Sequence, residues 1–185
     1  DFLKSSYSVS HSRAVRSLTL RAVLTPSSET TDTGEFYTLR LQKLNAMGAY
    51  NESQKLYKMN ETDPPSAEAA RAGVEASLGH GNIAPACLDQ KALPDNLKTS
   101  TPLFWSHLDI FCQALLGPAV TTTKDEQRLP AAAKIYLDAT KSTTITTIDA
   151  LNNADTVTLI AFVKTGQILP LIDTPEKLHA ITDHQ

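Results

Sequence analysis

The sequence predicts an all-α chain, a right-handed stack of antiparallel helical hairpins, and three observations carry that expectation. Gly48-Ala49-Tyr50 and Gly81-Asn82-Ile83 lie 33 residues apart (81 − 48), each following one apolar-periodic stretch and opening another. A small-residue turn recurring at that period is the mark of stacked helical hairpins. Thr101-Pro102 and Thr174-Pro175 each pair a capping hydroxyl with Pro at the first helical position, a strong helix start. Between Ser10 and Leu116 apolar residues recur at intervals of three and four, the helical period.

Taken in order, residues 1–9 are a Ser-rich, flexible lead-in. From Ser10 to Leu24 the apolar positions Val15, Leu18 and Ala22 form one stripe of an amphipathic helix, and Arg13, Arg16 and Arg21 lie off it. These arginines read first as a solvated face and second as a basic surface for a partner. A polar loop follows to Gly34, where Asp32 and Glu35 stand at capping-box spacing. The second helix places Tyr37, Leu41 and Leu44 on one stripe and stops at Gly48. The third runs from Tyr50 to Met59, with Tyr50, Ser53 and Tyr57 on one side, and Pro64-Pro65 close the hairpin.

The stretch from Tyr37 to Pro65 resembles a tetratricopeptide repeat. It has an early aromatic, a Leu one turn on, a Gly-x-Tyr turn, a small residue at Ser53, the aromatic Tyr57 and then Pro. Arg40 stands where that family usually has Leu, Leu41 replaces a small residue, and Asn60 replaces Ala. The next hairpin follows the same plan in degenerate form: Val74 falls 33 residues after Leu41, Ile83 after Tyr50, and Ala86 after Ser53. Asn82 is placed to cap its second helix, which tolerates Pro85 in the first turn and ends near Leu93 at Pro94. The resemblance implies that residues 10–185 form a single α-solenoid domain whose groove takes an extended peptide or a partner helix. Candidate groove residues are Tyr37, Lys43 and Arg71.

Leu103 to Leu116 is the most apolar helix of the chain. Phe104, Leu108, Phe111, Cys112 and Leu115 form its stripe, Trp105 and Ile110 widen it, and Gly117-Pro118 end it. Thereafter the repeat loses register. Pro130 argues for a helix from Pro130 to Ala139, with Ile135, Tyr136 and Leu137 packing. The runs 142–152 and 155–164 are rich in Thr, Ile and Val, which favours strand on propensity. The spacing of Ile145, Ile148 and Leu151, with Asp155 as a cap, favours two short helices instead. Thr174 opens a last helix through Ile181. The segment Leu103 to Gly117 is similar to exported helical-repeat proteins of alphaproteobacteria to which no activity is assigned. That likeness implies an envelope location and a longer parent chain, and the start at Asp1 without Met fits a processed or partial chain.

Composition narrows the function. Apolar residues make up 41% of the chain and charged residues 20%, which is the balance of a folded domain. A net charge of −3 argues against a nucleic-acid surface or an anionic membrane as partner. The longest apolar run, Leu159 to Val163, is too short to cross a bilayer. Two sequons, at Asn51 and Asn60, have meaning only in a secreted eukaryotic protein. Cys87 and Cys112 stand in no metal or redox spacing. If their helices fold back on each other, Cys87 comes level with about residue 109, close enough for loop slack to allow a disulfide. The rival reading is two reduced core thiols in a cytosolic protein.

Chemistry is not marked. His11, His80, His107, His179 and His184 share no ligand spacing, so neither metal nor cofactor is expected. His107 sits among aromatics on its helix and reads as a satisfied, half-buried residue. Ser106, His107 and Asp109 are neighbours that point in different directions from one helix, which is no triad. Gly79-His80-Gly81 lacks the parts of a phosphate loop. The carboxylates Glu52, Glu61, Asp63, Glu68, Glu75, Asp125 and Glu126 decorate helix starts and solvent faces. The expectation is therefore a non-enzymatic scaffold or adaptor that binds a protein partner in a bacterial envelope assembly, periplasmic or otherwise exported. The alternatives are the helical non-catalytic region of an envelope enzyme such as a peptidoglycan lytic transglycosylase, and a cytoplasmic location.

Overall fold

The computed structural model describes residues 13–25, 34–59, 66–117, 125–141 and 154–167. Among these residues all regular structure is helical. The α-helices are α1 (Arg13–Leu24), α2 (Gly34–Ala46), α3 (Tyr50–Lys58), α4 (Ala67–Gly79), α5 (Ile83–Ala92), α6 (Pro102–Leu116), α7 (Asp125–Thr140) and α8 (Thr156–Lys164), with a 3-10 turn at Asp95–Lys98. The chain divides into two units. The first holds α1 to α4, the start of α5 and the 3-10 turn, and the second holds Cys87–Lys91 of α5 with α6, α7 and α8. The lead-in 1–9, Asp32, Asn60, Pro64-Pro65, the run 142–152 and the helix expected from Thr174 lie outside the described residues.

In the first unit two turns are chemically alike. α2 ends with Gly48 at φ 66°, the Gly48 amide donating to the Asn45 carbonyl and the Ala49 amide to the Leu44 carbonyl. α4 ends with Gly81 at φ 89°, the Gly81 amide donating to Leu78 and the Asn82 amide to Ser77. Both are the paired-bond left-handed C-cap that Gly accommodates without a Cβ penalty. The contacts then fix direction. The Tyr37 hydroxyl donates to the Leu56 and Tyr57 carbonyls, while the Ser53 hydroxyl donates to Leu41, so α3 runs antiparallel to α2. Gln54 donates to Ser77, and the Tyr50 and Tyr57 rings lie on Gly79 and Gly73, so α4 runs antiparallel to α3. Thr38 meets Ser66 and Asn45 donates to Ala72, which sets α2 and α4 parallel. The core between them is Tyr37, Leu41, Tyr57, Ala69 and Ala72. Ser66 caps α4 by accepting from the Ala69 amide at 3.0 Å.

α1 corrects one expectation. Val15, Leu18 and Ala22 face outward, and the buried side is Leu20, Val23 and Leu24 against Leu44, Met47 and Ala49. The helix is apolar on both sides, so the period alone cannot say which side packs. Two arginines decide it. Arg16 donates to the Met47 carbonyl at the end of α2, and Arg40 donates to Val23 and Leu24 at the end of α1. Each helix thereby caps its antiparallel neighbour's open carbonyls. This accounts for Arg40 at a position where Leu was expected.

In the second unit α7 packs on α6, and α8 packs on both. Phe104, Trp105, Leu108, Phe111, Cys112 and Leu115 of α6 are buried, as the stripe predicts, Ala114 is buried beside them, and Ile110 is half-buried. Tyr136 is buried on α7 and meets Phe111 edge-on with ring centres 5.8 Å apart. α7 begins five residues earlier than expected (130 − 125), running through Pro130. Pro removes one amide bond there, and the buried Ala132, Ala133, Tyr136 and Leu137 together with the Arg128 bond to the Leu115 carbonyl hold the turn. Thr101 precedes α6 as expected, but its buried hydroxyl has no hydrogen-bond partner, so Pro102 alone is the starting device. The strand-prone run after Asp155 is helical, as its cap predicts.

Candidate functional site

The sequence points to two surfaces, and the structure treats their residues differently. Arg13 begins α1. Arg16, although exposed, is bound to the Met47 carbonyl at 3.0 Å, so its charge also serves packing. Arg21 is exposed. Tyr37 is 4% exposed with its hydroxyl on two carbonyls of α3, which makes it a core residue and not the groove lining expected of it. Lys43 is half-buried and engaged within the chain. Arg71 is half-buried and pairs with Glu75 at 2.8 Å, one turn further along α4. Of the six, the structure leaves Arg21 displayed most openly among the described side chains.

The second unit contains a cluster whose members the sequence marks only singly, His107 as half-buried, Tyr136 as packing and Asp155 as a cap. His107 Nδ1 and Asp155 Oδ2 lie 2.5 Å apart, and the other carboxylate oxygen of Asp155 accepts from the Thr158 amide at 2.8 Å. Tyr136 lies edge-on to the His107 ring and shares a 2.7 Å hydrogen bond with the Thr158 hydroxyl. Burial pushes the Tyr136 phenol up to about 12; Asp155 pushes the same way, and the Thr158 and Thr140 hydroxyls pull against it. His107 of α6, Tyr136 of α7 and the Asp155 cap and Thr158 of α8 thus meet at one polar point. Asp155 is committed twice, to the start of α8 and to α6. Ser106 is exposed and Asp109 accepts from Gln113 on its own helix, so neither converges on His107. The arrangement ties α6, α7 and α8 together and leaves His107 the satisfied, half-buried residue its surroundings suggest.

Cys87 and Cys112 are joined by a disulfide, with Cα atoms 5.6 Å apart and both residues fully buried. The pair is the one the sequence argument names, and in this structure the two sulfurs are bonded to each other. No family model, curated protein or solved structure matches this chain. Among the described residues no helix is long and apolar enough to cross a membrane. The residues sequence reasoning missed are Arg40, Ser66 and Gly73. Ser66 had a local signal, a capping residue ahead of Ala-rich helix; Arg40 and Gly73 act on other helices and have none.

Proposed function

We propose that this chain is a non-enzymatic scaffold or adaptor that binds a protein partner, working in a bacterial envelope assembly. The observation that carries this reading is the register of α2, α3 and α4. α2 and α4 run parallel with α3 antiparallel between them, and like glycine turns end α2 and α4 33 residues apart (81 − 48), the order that tetratricopeptide-like hairpins would have. Hairpins stacked with a small rotation offer an extended concave surface, and such surfaces take peptides and helices. Lys43 on α2 and Arg71 on α4 are the groove candidates, and Arg13, Arg16 and Arg21 on α1 are the candidates on the other surface. The buried Cys87–Cys112 bond supports an oxidising compartment, and hence export.

The test pairs two measurements on native protein. Purified chain is assayed for peptidoglycan turnover, and envelope extracts are examined for a partner that elutes with it in fixed stoichiometry. The reading expects no turnover and a partner whose binding weakens on Arg21→Glu, Lys43→Glu or Arg71→Glu. Peptidoglycan hydrolysis that persists through purification would overturn it in favour of an envelope enzyme.

A further inference from the structure

The stretch between the two bonded cysteines concentrates polar atoms that packing has not satisfied. Four buried side-chain atoms have no hydrogen-bond partner among the described residues, and three of them, Gln90 Oε1, Thr101 Oγ1 and Trp105 Nε1, lie between Cys87 and Cys112. Such an atom disfavours the buried state, because water would satisfy it. Apolar packing offsets this only in part. Leu93, Phe104 and Trp105 are buried, but Leu88 is 62% exposed and Leu103 67%. The 3-10 turn between them lies against α4 and buries none of its own residues. α6 packs along α7 and α8 but not along α5. What fastens α5 to α6 is the bond, which closes a loop of 25 residues.

A disulfide acts on an opened segment as it does on an unfolded chain. With its ends pinned together, the segment gains less freedom by leaving its place. Cutting the bond restores that freedom, and the three unpaired atoms gain water by the same movement. The part of α6 beyond Trp105 is held independently, His107 by Asp155 and Phe111 by the Tyr136 ring. We propose that residues Leu88 to Trp105 form a redox latch, docked while the Cys87–Cys112 bond is intact and released when it is reduced. The step is thiol–disulfide exchange with a dithiol. A thiolate of the dithiol attacks one sulfur of the bond and forms a mixed disulfide, and the other cysteine leaves as a thiolate. The second thiolate of the dithiol then displaces the first cysteine. Two electrons pass to the protein, the two protons lost by the dithiol are gained by the cysteines, and the dithiol becomes a cyclic disulfide. Both cysteines are fully buried, so the first attack follows an opening of the latch. Exchange in reverse, with a disulfide-bearing oxidant, closes it. The latch therefore docks in an oxidising compartment and stays open in a reducing one.

The test is hydrogen exchange of the whole purified protein, read by mass spectrometry with and without dithiothreitol. Emission of Trp105, the only tryptophan of the chain, is followed beside it. On reduction the amides of residues 88–105 should exchange about a hundredfold faster, and the Trp105 emission should shift to the red. Amides of α2, α3, α4, α7 and α8 should keep their protection. The Cys87→Ala, Cys112→Ala double variant should show the open pattern with or without dithiothreitol. Gln90→Leu, which removes one of the unpaired atoms, should leave the oxidised protein unchanged and slow exchange in the reduced one severalfold. A reduced protein that keeps residues 88–105 protected and its Trp105 emission unshifted would overturn the latch, leaving the bond to act on the unfolded chain alone. Loss of protection throughout the chain on reduction would overturn it too, as would a double variant that stays docked.

Discussion

Tyr57 and Gly73 show how much one atom decides. Tyr57 is buried on α3, and a Cβ at Gly73 would overlap its ring. Gly73→Ala is therefore expected to destabilise the fold by about 1–3 kcal/mol, the usual cost of overpacking a core, as read by urea denaturation. Gly79→Ala should cost less, because Tyr50 is half-buried and its ring can swing. Tyr136 gives a prediction in pH. Its folded pKa of about 12 lies above the ordinary 10, so the unfolded chain releases this proton first. Its contribution is fully present below pH 10 and is lost as pH rises from about 10 to about 12. Tyr136→Phe should flatten the stability curve over that window in alkaline melts. It should also lower stability at neutral pH by about 1–3 kcal/mol by stranding the buried Thr158 hydroxyl. Tyr37, Leu41, Leu44 and Tyr57 were legible in the sequence because period alone places them together. Gly73 was not, since its role is the absence of a side chain opposite a ring on another helix.

Elements were legible where a local signal started or stopped them. Gly48, Gly81 and Pro102 act on their own helices, and the boundaries there fall where the sequence places them. α1 was read with the wrong side inward because both of its sides are apolar, and the choice is made by Arg16 and Arg40 across the α1–α2 pair. α7 was begun late because one proline looked decisive, although a packed helix loses only a single amide bond to it. α8 illustrates a cap overriding strand propensity: Asp155 holds the Thr158 amide and His107 together. Asp155→Ala should cost about 1 kcal/mol for the cap and a further 1–3 kcal/mol, about the worth of a charged hydrogen bond left unmade. Asp155→Asn keeps an acceptor for the Thr158 amide and should recover most of the cap but not the full bond to His107. Comparing the two variants by thermal unfolding separates the contributions.

At the scale of the whole molecule the disulfide is the firmest link between sequence and structure. It closes a loop of 25 residues and ties α5 to α6. Such a closure is worth about 3 kcal/mol through the entropy it removes from the unfolded chain. The Cys87→Ala, Cys112→Ala double variant should lose about that much, and reduction with dithiothreitol should have the same effect on the wild type and none on the variant. Two free thiols in native material, found by mass spectrometry of a non-reduced digest, would remove the argument for an oxidising compartment. What no local pattern could supply is the use made of the surface, because partner recognition depends on which sides of helices are left uncovered after folding.

The account stands or falls on whether the chain works as a binding surface and not as a catalyst. Purification of the native protein from envelope extract, with the eluate assayed for peptidoglycan turnover and examined for a second protein in fixed stoichiometry, tests this directly. The account predicts a stoichiometric protein partner, weakened by Lys43→Glu or Arg71→Glu, and no turnover. Peptidoglycan hydrolysis that persists through purification, or a chain that elutes alone from native extract, would contradict it.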